Sequence, residues 1–396
     1  MNHRAEPVGG PLITPFTRAV LAVFGLGVLL IGWRLVAGLG ATTALNDGYP
    51  LGLWIAFDVV TGTALACGGY AIALLVYIFN KGTYHPLVRP ALLTSALGYS
   101  LAGVGVLLDV GRWWLIWKVP LYFWHWNFNS ALLEVALCIM SYVFVLWIEL
   151  SPAFLEKAQQ SRAPALRHFA NAVLPPLTKA LPWVIALGIL LPTMHQSSLG
   201  TLMLLAGPRL HPLWNTPIVP LLFLLGCIPM GYAAVVFESA LSAKAFNRPA
   251  ETEMLSAIGG IIVSLQVVWV VVRLADLAWR GNLGYLFEPT GRAFMTFVEF
   301  MLMLMPAAML ASKARRRDLG QLFRAAIVMM FAGGVYRFDV YLVAFTPGAH
   351  WSYFPSVPEM GITIGLIALE ILAYVAIVKM FPILSGHSRT IERQAA

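Results

Sequence analysis

Residues 51–79, LGLWIAFDVVTGTALACGGYAIALLVYIF, decide the fold: 29 consecutive residues hold one charged side chain, Asp58. A helix of about 20 mostly apolar residues spans the ~30 Å hydrocarbon core of a bilayer. Working outward, comparable apolar runs lie near 18-40, 87-110, 127-150, 177-195, 217-239, 254-278, 291-312, 321-345 and 359-382. The chain as a whole agrees, with 59% apolar residues, 11% charged residues and a mean hydropathy of +0.78. The fold class is an all-α integral membrane protein of about ten transmembrane helices, expected as two packed bundles whose solvent is lipid.

The expected organisation is an N-terminal tail over 1-17, a first four-helix bundle over 18-150, a linker over 151-176, six further spans over 177-382 and a tail over 383-396. The first run exceeds the ~7 to 15 apolar residues of a signal-peptide core and reads as a retained span. Pro50, Pro86, Pro120, Pro212, Pro347 and Pro358 fall in connections, and Pro182, Pro192, Pro229 and Pro306 fall within spans, where they predict kinks. With the amino terminus in the cytoplasm, the inner segments hold seventeen Lys and Arg residues, from Arg4 to Arg393, against four in the outer loops: Arg112, Lys118, Arg209 and Arg280. That bias predicts both termini inside. The net charge of +8 therefore reflects topology and implies no nucleic-acid partner. Outside, Trp113, Trp114, Trp117, Tyr122, Phe123, Trp124 and Trp126 read as an interfacial aromatic belt.

Ionisable groups within spans need a partner, water or a function. On the second span Trp54, Asp58, Gly62, Ala66, Gly69 and Ala73 recur at three- and four-residue intervals, a small-residue face with a carboxylate near its outer end. Ser95, Gly98, Ala102, Gly105 and Asp109 repeat the pattern on the third, with Arg112 three residues on; the fourth offers Asn127, Ser130, Glu134 and Cys138. Asp58, Asp109, Arg112, His125, Asn127, Asn129, Ser130 and Glu134 are thereby expected in the outer third, around one pocket. A quinone headgroup suits such a pocket, because its carbonyls take donors and its reduction takes two protons. Glu134, with Asp58 and Asp109, would relay protons; Trp54, Arg112, His125, Asn127, Asn129 and Ser130 would hold the headgroup. Alternatively, Asp109 and Arg112 close a helix end as an ion pair, and Asp58 is packing glue.

In the second half Arg273 stands with Asp276, and Arg337 is expected to neutralise one or both of Glu299 and Glu370 in a buried ionic lock, with a second proton path as the alternative. His195, at a polar break over 192–200, either bonds to the first bundle or packs as a capping residue. Glu149 and Glu238 are read as solvated helix-end residues. The metal expectation is none: Cys67, Cys138 and Cys227 lie far apart, giving no zinc or iron–sulfur spacing. No facing histidine pair for haem stands out either. Electrons would then arrive from another subunit.

The block LNDGYPLGLWIAFDVVTGTALACGGYAIALLVYIFNKGTYHPLVRPALL, followed by LLDVGRWW, NFNSALLEVALC, LPTMHQSSLGTLM and HPLW, resembles the NrfD-like, polysulfide-reductase-type membrane subunits. Within that family it is most similar to the subunits that serve periplasm-facing [NiFe] hydrogenases. The resemblance covers nearly the whole chain. It implies a bacterial inner-membrane protein with a periplasmic ferredoxin-like [4Fe-4S] subunit as partner, linked to hydrogenase small and large subunits. It also implies a haem-free site for menaquinone or ubiquinone in the first bundle, and carries Trp54, Asp58, Asp109, Arg112 and Glu134 into that site. The family core has eight spans against ten here. A secondary transporter and a passive membrane anchor are the competing readings, and a proton conduit from Glu149 toward Glu134 extends the preferred one.

Overall fold

A computed structural model describes residues 5–384. Arg4, Arg389, Arg393, His3, His387 and most of the expected 383–396 tail lie outside the described residues. Among the described residues, ten helices are long and apolar enough to cross a membrane: α1 Pro15–Ala37, α2 Trp54–Ile78, α3 Gly82–Asp109, α4 Ala131–Gln159, α5 Pro164–Leu204, α6 Val219–Ala245, α7 Thr252–Trp279, α8 Gly291–Met309, α9 Leu319–Val343 and α10 Val357–Met380. The chain is an all-α integral membrane protein. All ten expected spans are present. The largest departure is α5, whose 41 residues extend about 60 Å at 1.5 Å per residue, twice the hydrocarbon thickness. The expected linker 151-176 is thus almost wholly helical, and the expected polar break at 192–200 is uninterrupted helix.

The spans alternate in direction, which gives the molecule two unlike ends. One end has short connections carrying Lys81, Arg162, Arg248 and Arg315 to Arg317; the other has the long connections 38–53, 110–130, 205–218, 280–290 and 344–356. We call them the arginine-rich and tryptophan-rich ends. The described chain ends meet at the former, where Glu6 N donates to Leu384 O at 3.2 Å and Val8 N to Val378 O at 3.0 Å.

Packing departs from the expected 18-150 unit, because α1 lies along α10 and touches α3 only weakly. Glycine makes this pairing close: a Cβ on Gly27 would lie 2.6 Å from Gly365 Cα. The other eight spans all contribute to a large apolar core, running from Ala56 on α2 through Trp214 and Phe223 to Tyr341 on α9. A second, smaller core lies between α3, α4 and α10, from Leu93 and Tyr99 to Leu146 and Val378. At the centre of the large core is α2, buried over 83% of its most apolar window against 11% for α1. Small residues allow that enclosure: a Cβ on Gly231 of α6 would lie 2.5 Å from Cys67 O, and one on Gly98 of α3 would lie 2.7 Å from Ala66 Cβ.

Gly365→Leu is expected to part α1 from α10 and destabilise the chain by about 1–3 kcal/mol, as overpacking does. Gly284→Ala, where a Cβ meets nothing within 4 Å, is the control. Thermal melting of the two detergent-solubilised variants checks this; equal melting temperatures would contradict the packing argument.

Candidate functional site

Four spans meet below the tryptophan-rich end. Trp54 and Asp58 lie on the first turns of α2, which are wound with wide, π-type hydrogen bonds over Trp54–Thr61, a local geometry frequent at functional sites. Asp58 packs against α3 where Gly105 leaves room: a Cβ there would lie 3.1 Å from Asp58 Cβ. From α10, Thr363 Oγ1 donates to Asp58 Oδ2 at 2.9 Å. Trp54 is fully enclosed and its Nε1 donates to Glu359 O at 3.3 Å. Leu108, Ile362 and Leu366 complete the apolar surround.

Asp109 ends α3 on the same face, one turn beyond Gly105. Its Oδ1 is buried without a hydrogen-bond partner. The expected Asp109–Arg112 ion pair is not formed, because Val110 turns extended and carries Arg112 out of the helix to an exposed position. The cation beside Asp109 is instead Arg34 of α1. It donates to Leu108 O at 2.8 Å and Val110 O at 3.0 Å, closing the carbonyl end of α3. Sequence reasoning missed Arg34, Thr363 and Glu359; a lone arginine near the end of an apolar run was the available signal.

Glu359 holds this corner together. Its Oε2 accepts from Ala44 N at 2.9 Å and Ser356 N at 2.7 Å, and Tyr353 Oη donates to Oε1 at 2.8 Å. Leu53 N in turn donates to Tyr353 Oη at 2.6 Å. The start of α2, the start of α10 and the 38–53 connection are thus tied through one carboxylate.

The remaining expected site residues are placed differently. Helix α4 begins at Ala131, with Ser130 as its cap accepting from Leu133 N at 3.3 Å. Glu134 therefore stands on the first turn, exposed, rather than two turns inside, where a carboxylate favours the positive helix end. His125, Asn127 and Asn129 are exposed on the 110–130 connection, where Asn127 Oδ1 accepts from Asn129 N at 3.1 Å and His125 sits 5.7 Å from the Tyr122 ring. Trp54, Asp58 and Asp109 are brought together; Arg112, His125, Asn127, Asn129, Ser130 and Glu134 lie exposed or half-buried towards the tryptophan-rich end.

A second polar network lies deeper, between α2, α5, α6 and α9. Arg337 donates to Gln196 Oε1 at 2.9 Å, Phe223 O at 2.9 Å and Val60 O at 3.1 Å, with its guanidinium 4.6 Å from the Phe223 ring. Gln196 Nε2 donates to Thr63 Oγ1 at 3.0 Å, and His195 Nε2 lies 3.3 Å from the same hydroxyl. The expected neutralisation of Glu299 and Glu370 by Arg337 is thus replaced by carbonyls, an amide and an aromatic face. Glu299 pairs with Arg273 at 3.5 Å and accepts from Trp214 Nε1 at 2.9 Å. Asp276 pairs with Arg280, at 2.7 Å, and not with Arg273. Glu370 lies over the α2–α3 seam, its Oε1 3.6 Å from where Gly98 would carry a Cβ. Glu149 and Glu238 are also less exposed than expected: Glu149 Oε1 is buried without a partner, and Glu238 accepts a hydrogen bond from Tyr374.

Such a chain, with ten apolar spans and carboxylates gathered under one aromatic-rich end, is a polytopic integral membrane protein. It belongs to the family described as Polysulphide reductase, NrfD, which matches residues 42–348. The match runs from just before α2 to just after α9, so α1 and α10 are the spans outside it. The chain is 40% identical, over 97% of its length and 96% of the relative's, to the Escherichia coli (strain K12) "Probable Ni/Fe-hydrogenase 2 b-type cytochrome subunit". It is 28% identical, over 92% and 90%, to the "Menaquinone reductase, integral membrane subunit" of Nitratidesulfovibrio vulgaris. It is 21% identical, over 90% and 91%, to a selenate reductase subunit of Mesobacillus selenatarsenatis.

The first of these names raises haem. A b-type haem within a bundle takes axial side chains from facing helices. Among the described histidines only His195 is buried, and its Nε2 already faces Thr63; His85, His125, His168 and His350 are exposed and His211 is half-buried in a connection. These residues do not fit a bis-histidine haem.

Glu299→Gln is expected to leave the enclosed Arg273 uncompensated and destabilise the chain by about 3–5 kcal/mol, the usual result of breaking a buried pair from one side. Chemical or thermal unfolding of the purified chain measures it. Arg89→Gln, at the half-exposed pair with Glu156, should cost about 1 kcal/mol or less.

Proposed function

We propose that this chain is the haem-free, quinone-reacting membrane subunit of a hydrogen:quinone oxidoreductase complex in the bacterial inner membrane. It takes electrons at its tryptophan-rich end from a ferredoxin-like [4Fe-4S] subunit joined to [NiFe] hydrogenase small and large subunits, and passes them to menaquinone or ubiquinone. The names of its relatives from E. coli and N. vulgaris support this reading, as does family membership. So does the charge bias, which is that of a chain with both termini in the cytoplasm and the aromatic end in the periplasm. The observation that carries it is the meeting of Asp58, Asp109 and Trp54 beneath that end, in a close-packed seam between α2, α3 and α10.

Quinone is the substrate: it accepts two electrons from the partner and two protons to become quinol. Asp58, held by the Thr363 hydroxyl, is the proton-exchanging carboxylate. Trp54 and Leu108 exclude water and present an apolar wall to the ring, and Asp109, one oxygen unpartnered, accepts from the hydroxyl of the quinol product. Glu134, Arg112, His125, Asn127, Asn129 and Ser130 form the rim, where headgroup and iron–sulfur subunit both arrive. A passive-anchor role for that rim draws on its exposure, and the same experiment separates the two.

In the whole complex, Asp58→Asn and Glu134→Gln are each expected to lower hydrogen-dependent quinone reduction at least tenfold, about 1.4 kcal/mol in barrier, while hydrogen oxidation by a soluble dye persists. The amide that Asp58→Asn introduces can still accept the Thr363 hydrogen bond, so folding is spared. Wild-type quinone rates in either variant would remove that residue from the mechanism; wild-type rates in both would favour the anchor.

A further inference from the structure

The connection between α8 and α9 packs its cations against the start of α7. A cavity of about 470 Å³ opens there, lined by Thr252, Ser256 and Gly260 of α7 and by Lys313, Arg316 and Arg317 of the connection. Two glycines shape it. A Cβ on Gly259 would lie 3.5 Å from Arg316 Cδ and one on Gly260 would lie 3.6 Å from its Cζ, so the arginine lies flat on a bare backbone shelf. Arg316 Nη1 donates to Leu310 O at 3.0 Å, and Arg315 Nη1 donates to Ala308 O at 3.1 Å, which covers the last carbonyls of α8. Lys313 and Arg317 are exposed, and none of the three lining cations takes part in an ion pair among the described residues. Among the described residues Glu253 is the one carboxylate in the lining, so three cations face one anion.

The cavity is built for a phosphate: ammonium and guanidinium groups beside two hydroxyl-bearing residues, at the positive end of a 28-residue helix. Its position decides which phosphate. Ala257 and Gly260 continue along α7 at helical spacing into Ser264, Val267 and Val271, all turned outward, with the two valines exposed. A ligand seated among the cations therefore has an apolar helix face running from it into the bilayer. Free phosphate would leave that face unused. Basic pockets between spans at this level suit acidic lipid headgroups.

We propose that this cavity binds the phosphate of an anionic phospholipid, with its acyl chains laid along the outward face of α7. Lys313 and Arg317 supply charge, Arg316 closes the floor, and Thr252 and Ser256 supply hydrogen bonds. The site lies at the opposite end from Asp58 and has no part in the redox reading.

The test is native mass spectrometry of the full chain in nonionic detergent, titrated with cardiolipin, phosphatidylcholine or inorganic phosphate. Cardiolipin is expected to remain bound at a Kd at least tenfold below that of phosphatidylcholine. The Lys313→Ala/Arg317→Ala double variant, which keeps the Arg315 and Arg316 caps, should weaken it at least fivefold. Ala257→Phe, which fills the cavity without changing charge, should do the same and guards against a folding defect in the double variant. Equal retention of the two lipids, unchanged cardiolipin binding in both variants, or displacement of cardiolipin by inorganic phosphate would each overturn the proposal.

Discussion

The Arg337 guanidinium lies where α2, α5, α6 and α9 meet, and among the described residues no carboxylate bonds to it. Its donors end on two backbone carbonyls and the Gln196 amide, and its face rests near the Phe223 ring. A buried cation held by dipoles alone needs each of them in place, since losing one leaves a charge in a medium that solvates it poorly. The four helices are therefore fixed relative to one another at this point. The wide turns of α2 belong to the same constraint, because Val60, one of the acceptors, lies within them.

From that fixed centre the two ends of the molecule differ in kind. The arginine-rich end has short connections and side chains that cap helix carbonyls. The tryptophan-rich end has long connections braced by polar contacts: Glu359 gathers the 38–53 segment and the starts of α2 and α10, while His211 N donates to Ala344 O and Thr346 N to Arg209 O across neighbouring loops. A rigid interior thus carries a chemically varied rim.

The spans were legible in the sequence because hydrocarbon imposes one rule on every crossing segment. Trp54, Asp58 and Asp109 were legible as a group because small residues at helical spacing marked the faces that approach closely. Partner choice was not. Glu299 bonds Arg273, and Arg337 bonds neither glutamate, since depth along a helix says nothing about azimuth among ten helices. Glu134 was placed too deep because the expected span begins at 127, whereas Ser130 caps the helix and leaves Glu134 on its first turn. Arg34 and Thr363 were missed for a topological reason: they come from opposite ends of the chain, and no local pattern announces that α1 and α10 lie side by side.

That side-by-side pair lies outside the 42–348 family match, yet it supplies Thr363 to Asp58 and brings Arg34 beside Asp109. The surroundings of both carboxylates are therefore completed from the periphery. A sequence of this kind can change what stands beside those carboxylates by exchanging one flanking helix, with the eight-helix frame left as it is.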